Sequence, residues 1–258
     1  MTDQIRKPKI LELACKAGKL VLTNGGEIYR VEQIMASVCE AYGIDDHECF
    51  ATPTMIMLST SGMDGEPVSR MMRITERSIN LNVVAEINDF SRKLPIPFNE
   101  AVIVIDSIEK SKPYPLWLRI MVSSIAVGAF AFTFGGGVRD FLCGIVLGML
   151  LRFIIFGLHR GKVGDFMINL VGGAFAAFGG WLVYFVGITD NHWIITISTI
   201  MLLVPGLLFT NAMRDIAAGD LVSGVTRGIE VLSIAAALAS GVAAVYGLIS
   251  IFGVGLVL

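Results

Sequence analysis

The chain has 258 residues, of which 54% are hydrophobic and 16% charged, and its mean hydropathy of +0.71 is far above that of a soluble domain. The net charge of −2, with no basic stripe once the loops near the membrane are set aside, argues against a nucleic-acid partner. Nearly all the charge lies before about Arg119 and nearly all the uncharged apolar length after it, which predicts a small α+β domain over 1–112 fused to an α-helical polytopic membrane domain over 113–258.

The opening MTDQIRKPKILELACKAGK has no apolar core long enough for a signal peptide, so the soluble part is expected to be cytoplasmic. Apolar residues at Ile10, Leu11, Leu13, Ala14, Ala17, Leu20 and Val21 predict an amphipathic helix closed by Asn24-Gly25-Gly26. A second helix buries Ile28, Val31, Ile34, Met35, Val38 and Tyr42 and stops at Gly43. Runs at Cys49 to Ser59, Val68 to Ile74 and Ile79 to Val84 read as strands of an antiparallel sheet, with Met63-Asp64-Gly65 as a hairpin turn. Helices are then expected at about 84–93 and at 99–110, the second capped by Asn99, before the stiff linker Ser111-Lys112-Pro113-Tyr114-Pro115.

Metal and thiol chemistry find little support. Cys15, Cys39, Cys49 and Cys143 form no CxxC pair, and Asp45-Asp46-His47-Glu48 has one imidazole among adjacent side chains that cannot all converge, so it reads as a solvated turn. No metal and no cofactor is expected. Glu27 and Arg30 are three apart and can pair on one helix face. Arg70 and Arg73, an odd number apart, face opposite sides of a strand. One of them could meet Glu27 or Glu32, or the cluster could serve a cytoplasmic anion.

Five membrane spans are expected, at about 116–136, 141–158, 167–186, 193–210 and 228–254. His159, Arg160 and Lys162 lie in one set of loops together with Arg214 and Arg227, against Arg139 alone in the opposite set, which places the N-terminal domain inside and the C-terminus outside. Gly144 with Gly148, and Gly172 with Ala176 and Gly180, mark faces where helices pack closely. Arg152 continues the first of these faces and needs a partner, water, or the cytoplasmic surface. In the fourth span Val204-Pro205-Gly206 breaks the helix and frees the Met201 carbonyl, which predicts either a cavity lining or a packing kink. Asp165, Asn169, Asn211 and Asp215 are the polar candidates around it. Asp220 is read as a helix cap after Gly219, and Arg214 and Arg227 as substrate-facing cations or cytoplasmic anchors, with the anchor role preferred for Arg227.

The segments Asn24 to Glu32 (including Glu27, Tyr29, Arg30 and Glu32), Thr52-Pro53-Thr54, Arg70 with Arg73, Asn80-Leu81, Asn88 and Ser91-Arg92 resemble the N-terminal signature of the threonine/serine exporter family. Leu203-Val204-Pro205-Gly206 with Asn211, Asp215, Gly219-Asp220 and Gly224 resembles that family's membrane motif. The resemblance covers essentially the whole chain and implies an exporter of its split branch, in which a second, smaller membrane subunit completes the transporter. That branch is associated with succinate, and the fused members with threonine and serine. No Walker-type run is present, so an ion or proton gradient is the expected drive, with Asp215 as the coupling acid. Pro205 and Gly206 would offer a helix end to the substrate carboxylate, with Asn211, Arg214, Arg152 and Asn169 as further polar candidates. Five spans make an odd half, which implies a second integral membrane subunit or another copy of the chain. The alternative is a membrane-anchored sensory or enzymatic module that binds a small anion, although no nucleophile elbow or metal spacing supports catalysis.

Overall fold

The computed structural model describes residues 2–62 and 66–252, with side chains from Lys7 onward. The chain divides into two compact units, one made of Met1–Pro113 with Gly206–Ile229 and the other of Tyr114–Pro205 with Glu230–Leu258. The residue pattern alone did not indicate that Gly206–Ile229 groups with the N-terminal elements.

In the first unit, α1 (Thr2–Thr23) and α2 (Ile28–Ala41) form an antiparallel pair whose apolar stripes face each other. Gly18 brings them close, because a Cβ there would lie 2.8 Å from Met35 Cγ. They pack on an antiparallel sheet of β1 (His47–Thr52), β2 (Met55–Ser61) and β3 (Pro67–Arg73) in the order β1-β2-β3. The core face of the sheet is supplied by Ala51, Ile56 and Leu58, and α3 (Leu81–Arg92) and α4 (Phe98–Glu109) complete the core through Val83, Ile87, Phe90, Ala101, Ile105 and Ile108. The remaining elements of this unit are α9 (Gly206–Ala218) and the first turns of α10 (Leu221–Ile251).

Three local expectations are corrected. Cys49 to Ser59 is two strands, folded back at Pro53-Thr54, with Thr52 Oγ1 accepting from the Met55 amide at 3.1 Å; the fixed φ of proline suits that corner. Ile79 to Val84 is not a strand. Its apolar residues alternate at Ile79, Leu81 and Val83, but Ile79 and Leu81 are exposed, while Val83 joins Ile87 and Phe90 on the buried face of α3. Burial at helical spacing overrides a short period-two pattern. Asn99 does not cap α4, which starts one residue earlier with Pro97 in the cap position. The Met63-Asp64-Gly65 turn lies outside the described residues.

The second unit contains α5 (Leu116–Thr133), α6 (Val138–Arg160), α7 (Asp165–Phe185), α8 (His192–Ile200) and the remainder of α10. Gly144 and Gly180 do the packing expected of them, and Gly173 adds a close approach that was not expected. A Cβ on Gly144 would lie 3.0 Å from Gly128 Cα, one on Gly173 2.4 Å from the Leu238 carbonyl oxygen, and one on Gly180 2.8 Å from that of His192, so these backbones approach as only glycine allows. Among the described residues four helices, α5, α6, α7 and α10, are long and apolar enough to cross a membrane. The expected fourth span is not a single helix. It divides into α8, a turn over 201–205, and α9, so the expected five continuous spans become four and a broken element.

Candidate functional site

Pro205 carries no amide hydrogen, and the helix gives way before it reaches that position. Leu202 and Leu203 donate to carbonyls three residues back, at Thr199 (3.3 Å) and Ile200 (2.8 Å), and α9 begins afresh at Gly206. Its faces are inverted relative to a soluble helix, with Asn211, Ala212 and Asp215 buried and Phe209, Met213 and Ile216 exposed. Gly219, at φ +94°, ends α9, and Asp220 precedes the first residue of α10, as its capping position requires. The start of α10 repeats the inversion: Ser223 and Arg227 are buried, while Leu221, Val222 and Val225 are exposed. A Cβ on Gly224 would meet the Ile216 amide nitrogen at 2.9 Å and the Ala212 carbonyl oxygen at 3.0 Å, so glycine is what lets the two helices touch.

The polar inner face of this hairpin holds the turn between α1 and α2. Gly25 takes φ +97°, and a Cβ on Gly26 would strike Val21 at 2.3 Å, so both positions require glycine. The loop carbonyls and the first amide of α2 are then bound one by one. Asn211 Nδ2 donates to the Gly25 carbonyl at 3.0 Å, Arg227 Nη2 donates to the Gly26 carbonyl at 3.0 Å, and the Ile28 amide donates to Asp215 Oδ1 at 3.4 Å. Asp215 Oδ2 and Arg227 Nη1 form an ion pair at 3.1 Å, and the two residues are 0% and 4% exposed. The carboxylate meets the positive end of α2, and the guanidinium meets the Gly26 carbonyl and Asp215, so both charges are matched. Burial pushes the Asp215 carboxyl above its ordinary range, and Arg227 and the Ile28 amide pull against that shift.

A second, more open layer lies at Glu27. Its carboxylate accepts from Arg30 Nε at 2.9 Å through one oxygen and from Arg214 Nη1 through the other. Arg30 is also bonded to the Tyr29 hydroxyl at 3.0 Å and to Asn88 Oδ1 at 3.4 Å. Burial pushes the Glu27 carboxyl up, but Arg30 and Arg214 together hold it below the ordinary carboxylate range. The Arg214 side chain is 51% exposed, so one cation of this layer faces outward.

The structure therefore brings together Glu27, Tyr29, Arg30, Asn211, Arg214 and Asp215. It does not bring in the others. Glu32 Oε1 accepts from the Ala51 amide at 2.8 Å and ties α2 to β1, and its carboxyl is pushed up by burial. Arg70 pairs with Glu12 at 3.6 Å rather than with Glu27 or Glu32, and Arg73 is exposed on β3 opposite Met55. In the other unit Arg152 Nε finds the Ser123 hydroxyl at 3.1 Å, and Asn169 Nδ2 bonds back to the Asp165 carbonyl at 2.8 Å. Arg227 is the residue whose place was misread: it is no surface anchor but the buried partner of Asp215. The sequence carried one signal of this, the small residues Ser223 and Gly224 one turn before an arginine in an otherwise apolar helix. Among the described residues no three His, Cys, Asp or Glu side chains are placed to hold a metal ion.

A family model described as "Putative threonine/serine exporter" matches residues 12–249. The chain is 25% identical over 237 residues to the "Probable succinate transporter subunit YjjP" of Klebsiella aerogenes, a match covering 87% of this chain and 88% of that protein. It is 23% identical over 260 residues to the "Probable threonine/serine exporter" of Mycobacterium tuberculosis, covering 98% of this chain and 47% of that protein. With the "Threonine/serine exporter" of Corynebacterium glutamicum it shares 22% identity over 252 residues, 94% of this chain and 52% of the other. The chain thus spans nearly the length of the first relative and about half of the other two. No solved structure matches.

Proposed function

The chain belongs to the threonine/serine exporter family, and from that premise we propose that it is one subunit of a secondary-active exporter that moves a small carboxylate metabolite out of the cytoplasm. It is an integral membrane transporter and not an enzyme. The substrate is proposed to be succinate or a related dicarboxylate, with threonine or serine as the other candidates. The word "subunit" in the name of the Klebsiella relative and the double length of the exporters support a second integral membrane protein as partner. The N-terminal unit is assigned to the cytoplasm and the C-terminus to the outside.

One observation carries the reading. Two arginines share one carboxylate at Glu27, one of them half exposed, directly beside the buried Asp215–Arg227 pair. A substrate carboxylate that displaces Glu27 from Arg214 exchanges one ion pair for another at little cost, as a site that must both bind and release requires. Protonation of Asp215 would remove the charge that holds Arg227, and so couple proton binding to the hold on the Gly25-Gly26 turn. The helix that restarts at Gly206 presents the free amides of its first turn. In cells loaded with labelled succinate or threonine and supplied with the partner, Arg214→Ala should lower efflux severalfold, and Asp215→Asn should remove its dependence on pH. Normal efflux from both variants would reject the site.

A second reading, a sensor of a small anion, is favoured by a cavity of about 350 Å³ in the N-terminal unit, lined by Lys19, Arg73 and Arg77 with Glu76 and Glu109. Ligand binding that survives Arg214→Ala and is lost in Arg73→Gln would support it.

A further inference from the structure

His192, the first residue of α8, is 8% exposed, and its Nε2 has no hydrogen-bond partner among the described residues. A buried polar nitrogen without a partner has lost its water for no bond in return, so its retention calls for a use. Three aromatic rings surround the imidazole: Tyr184 of α7 at 5.4 Å, Trp193 at 4.8 Å and Tyr246 of α10 at 5.5 Å between centroids. The enclosure is held in place. The hydroxyls of Tyr246 and Thr196 lie 2.8 Å apart, and Thr196 Oγ1 donates to the His192 carbonyl at 3.0 Å. Gly180 of α7 leaves the room for this, since a Cβ there would fall 2.3 Å from Thr196 Oγ1.

The three rings are tilted against the imidazole by 59°, 37° and 62°, and an aromatic face turned toward it attracts imidazolium more strongly than neutral imidazole. Of the titratable side chains on the elements packed against α8, Tyr184 and Tyr246 face the ring. Asp140 of α6 is taken up by the Thr189 hydroxyl and the Gly137 amide, while Arg139 and the connecting-loop Asp190 are exposed. No ion pair joins His192 to a carboxylate among the described residues. We propose that His192 is a proton-binding site of the membrane unit, with Nε2 taking the proton and the Tyr184, Trp193 and Tyr246 rings holding the resulting cation. Adding the proton breaks no bond, whereas protonating Asp215 must dissolve an ion pair. Use of the site in transport rests on the exporter reading given above.

The test uses the full chain in lipid nanodiscs. The chain has three histidines, so His47→Asn with His159→Asn leaves His192 as the one imidazole, in its native surroundings, for ¹⁵N-histidine spectra. Its ring resonances should move through a single transition between about pH 4 and 8; resonances that stay fixed across that range overturn the proposal. With Trp117→Phe and Trp181→Phe, the emission of Trp193 should fall as the pH is lowered, and His192→Gln should abolish the fall. Efflux then reads the use of the site: a pH dependence flattened in His192→Gln supports it, and an unchanged dependence overturns it. If even the wild type exports neither compound, the exporter reading fails, while the imidazole transition is still read by the spectra.

Discussion

Removing the Arg227 guanidinium would leave Asp215 as an uncompensated carboxylate, 0% exposed and facing only one amide at 3.4 Å. Arg227→Ala should therefore destabilise the chain by about 3–5 kcal/mol, the range for breaking one side of a buried pair. Asp215→Leu combined with Arg227→Leu should unfold at a temperature closer to wild type than Arg227→Ala alone, because it removes both desolvation penalties; thermal unfolding in detergent compares them. A double variant no more stable than the single one would mean that the Arg227 contact with the Gly26 carbonyl, and not the ion pair, dominates. Glu27 makes a separable contribution. Its carboxyl is held below the ordinary range, so its stabilisation is complete above that range and is lost as the pH falls through the lower folded value. Glu27→Gln should be less stable at neutral pH and lose less further stability on acidification, which melting curves taken down to about pH 3 would detect.

At the scale of elements, α7 and α10 cross where side chains are absent. A Cβ on Gly173 would meet the Leu238 carbonyl oxygen at 2.4 Å, and one on Gly241 would meet that of Leu170 at 2.1 Å. Both obstacles are backbone, so neither can rotate away. Gly241→Ala should cost about 1–3 kcal/mol, the range for overpacking, while Gly157→Ala, with nothing within 4 Å of its Cβ, should be neutral or mildly stabilising in the same melting assay. The close approaches at Gly144 and Gly180 were legible in advance because small residues at i, i+4 have one common cause, close backbone approach, whereas Gly173 and Gly241 lay outside the two faces marked from the sequence. The break before Pro205 and the end of α9 at Gly219 were legible for the same kind of local reason, a missing donor and a left-handed turn. The Glu27–Arg30 pair follows from a spacing of three on a helix. Local rules gave no access to Arg227, whose partners Gly26 and Asp215 are set by tertiary packing, with Gly26 lying 201 positions away in the chain. They also misjudged Ile79 to Val84, where a few alternating apolar residues look like a strand until Ile87 and Phe90 extend the pattern.

With the N-terminal unit proposed to be cytoplasmic, the number of membrane crossings depends on where Gly206–Ile229 belongs. These residues bind the α1–α2 turn through Asn211, Asp215 and Arg227, so they lie on the same side of the membrane as the N-terminal helices. A chain that leaves that side through α5, returns through α6 and leaves again through α7 must come back before Gly206. Helix α8 has 9 residues, about 14 Å at 1.5 Å per residue, less than half of the ~30 Å hydrocarbon core. On the proposed orientation the remainder of the crossing falls to the turn over 201–205 and the first turn of α9, ahead of the Asn211 and Asp215 contacts with the α1–α2 turn. On the same proposal α10 crosses outward. A reporter joined after Leu258 should then be active only outside the cell, and one joined at Met1 only inside. Reporters on the same side would mean an even number of crossings, which the contacts of Asn211, Asp215 and Arg227 with the α1–α2 turn do not allow, and the proposed orientation would fall.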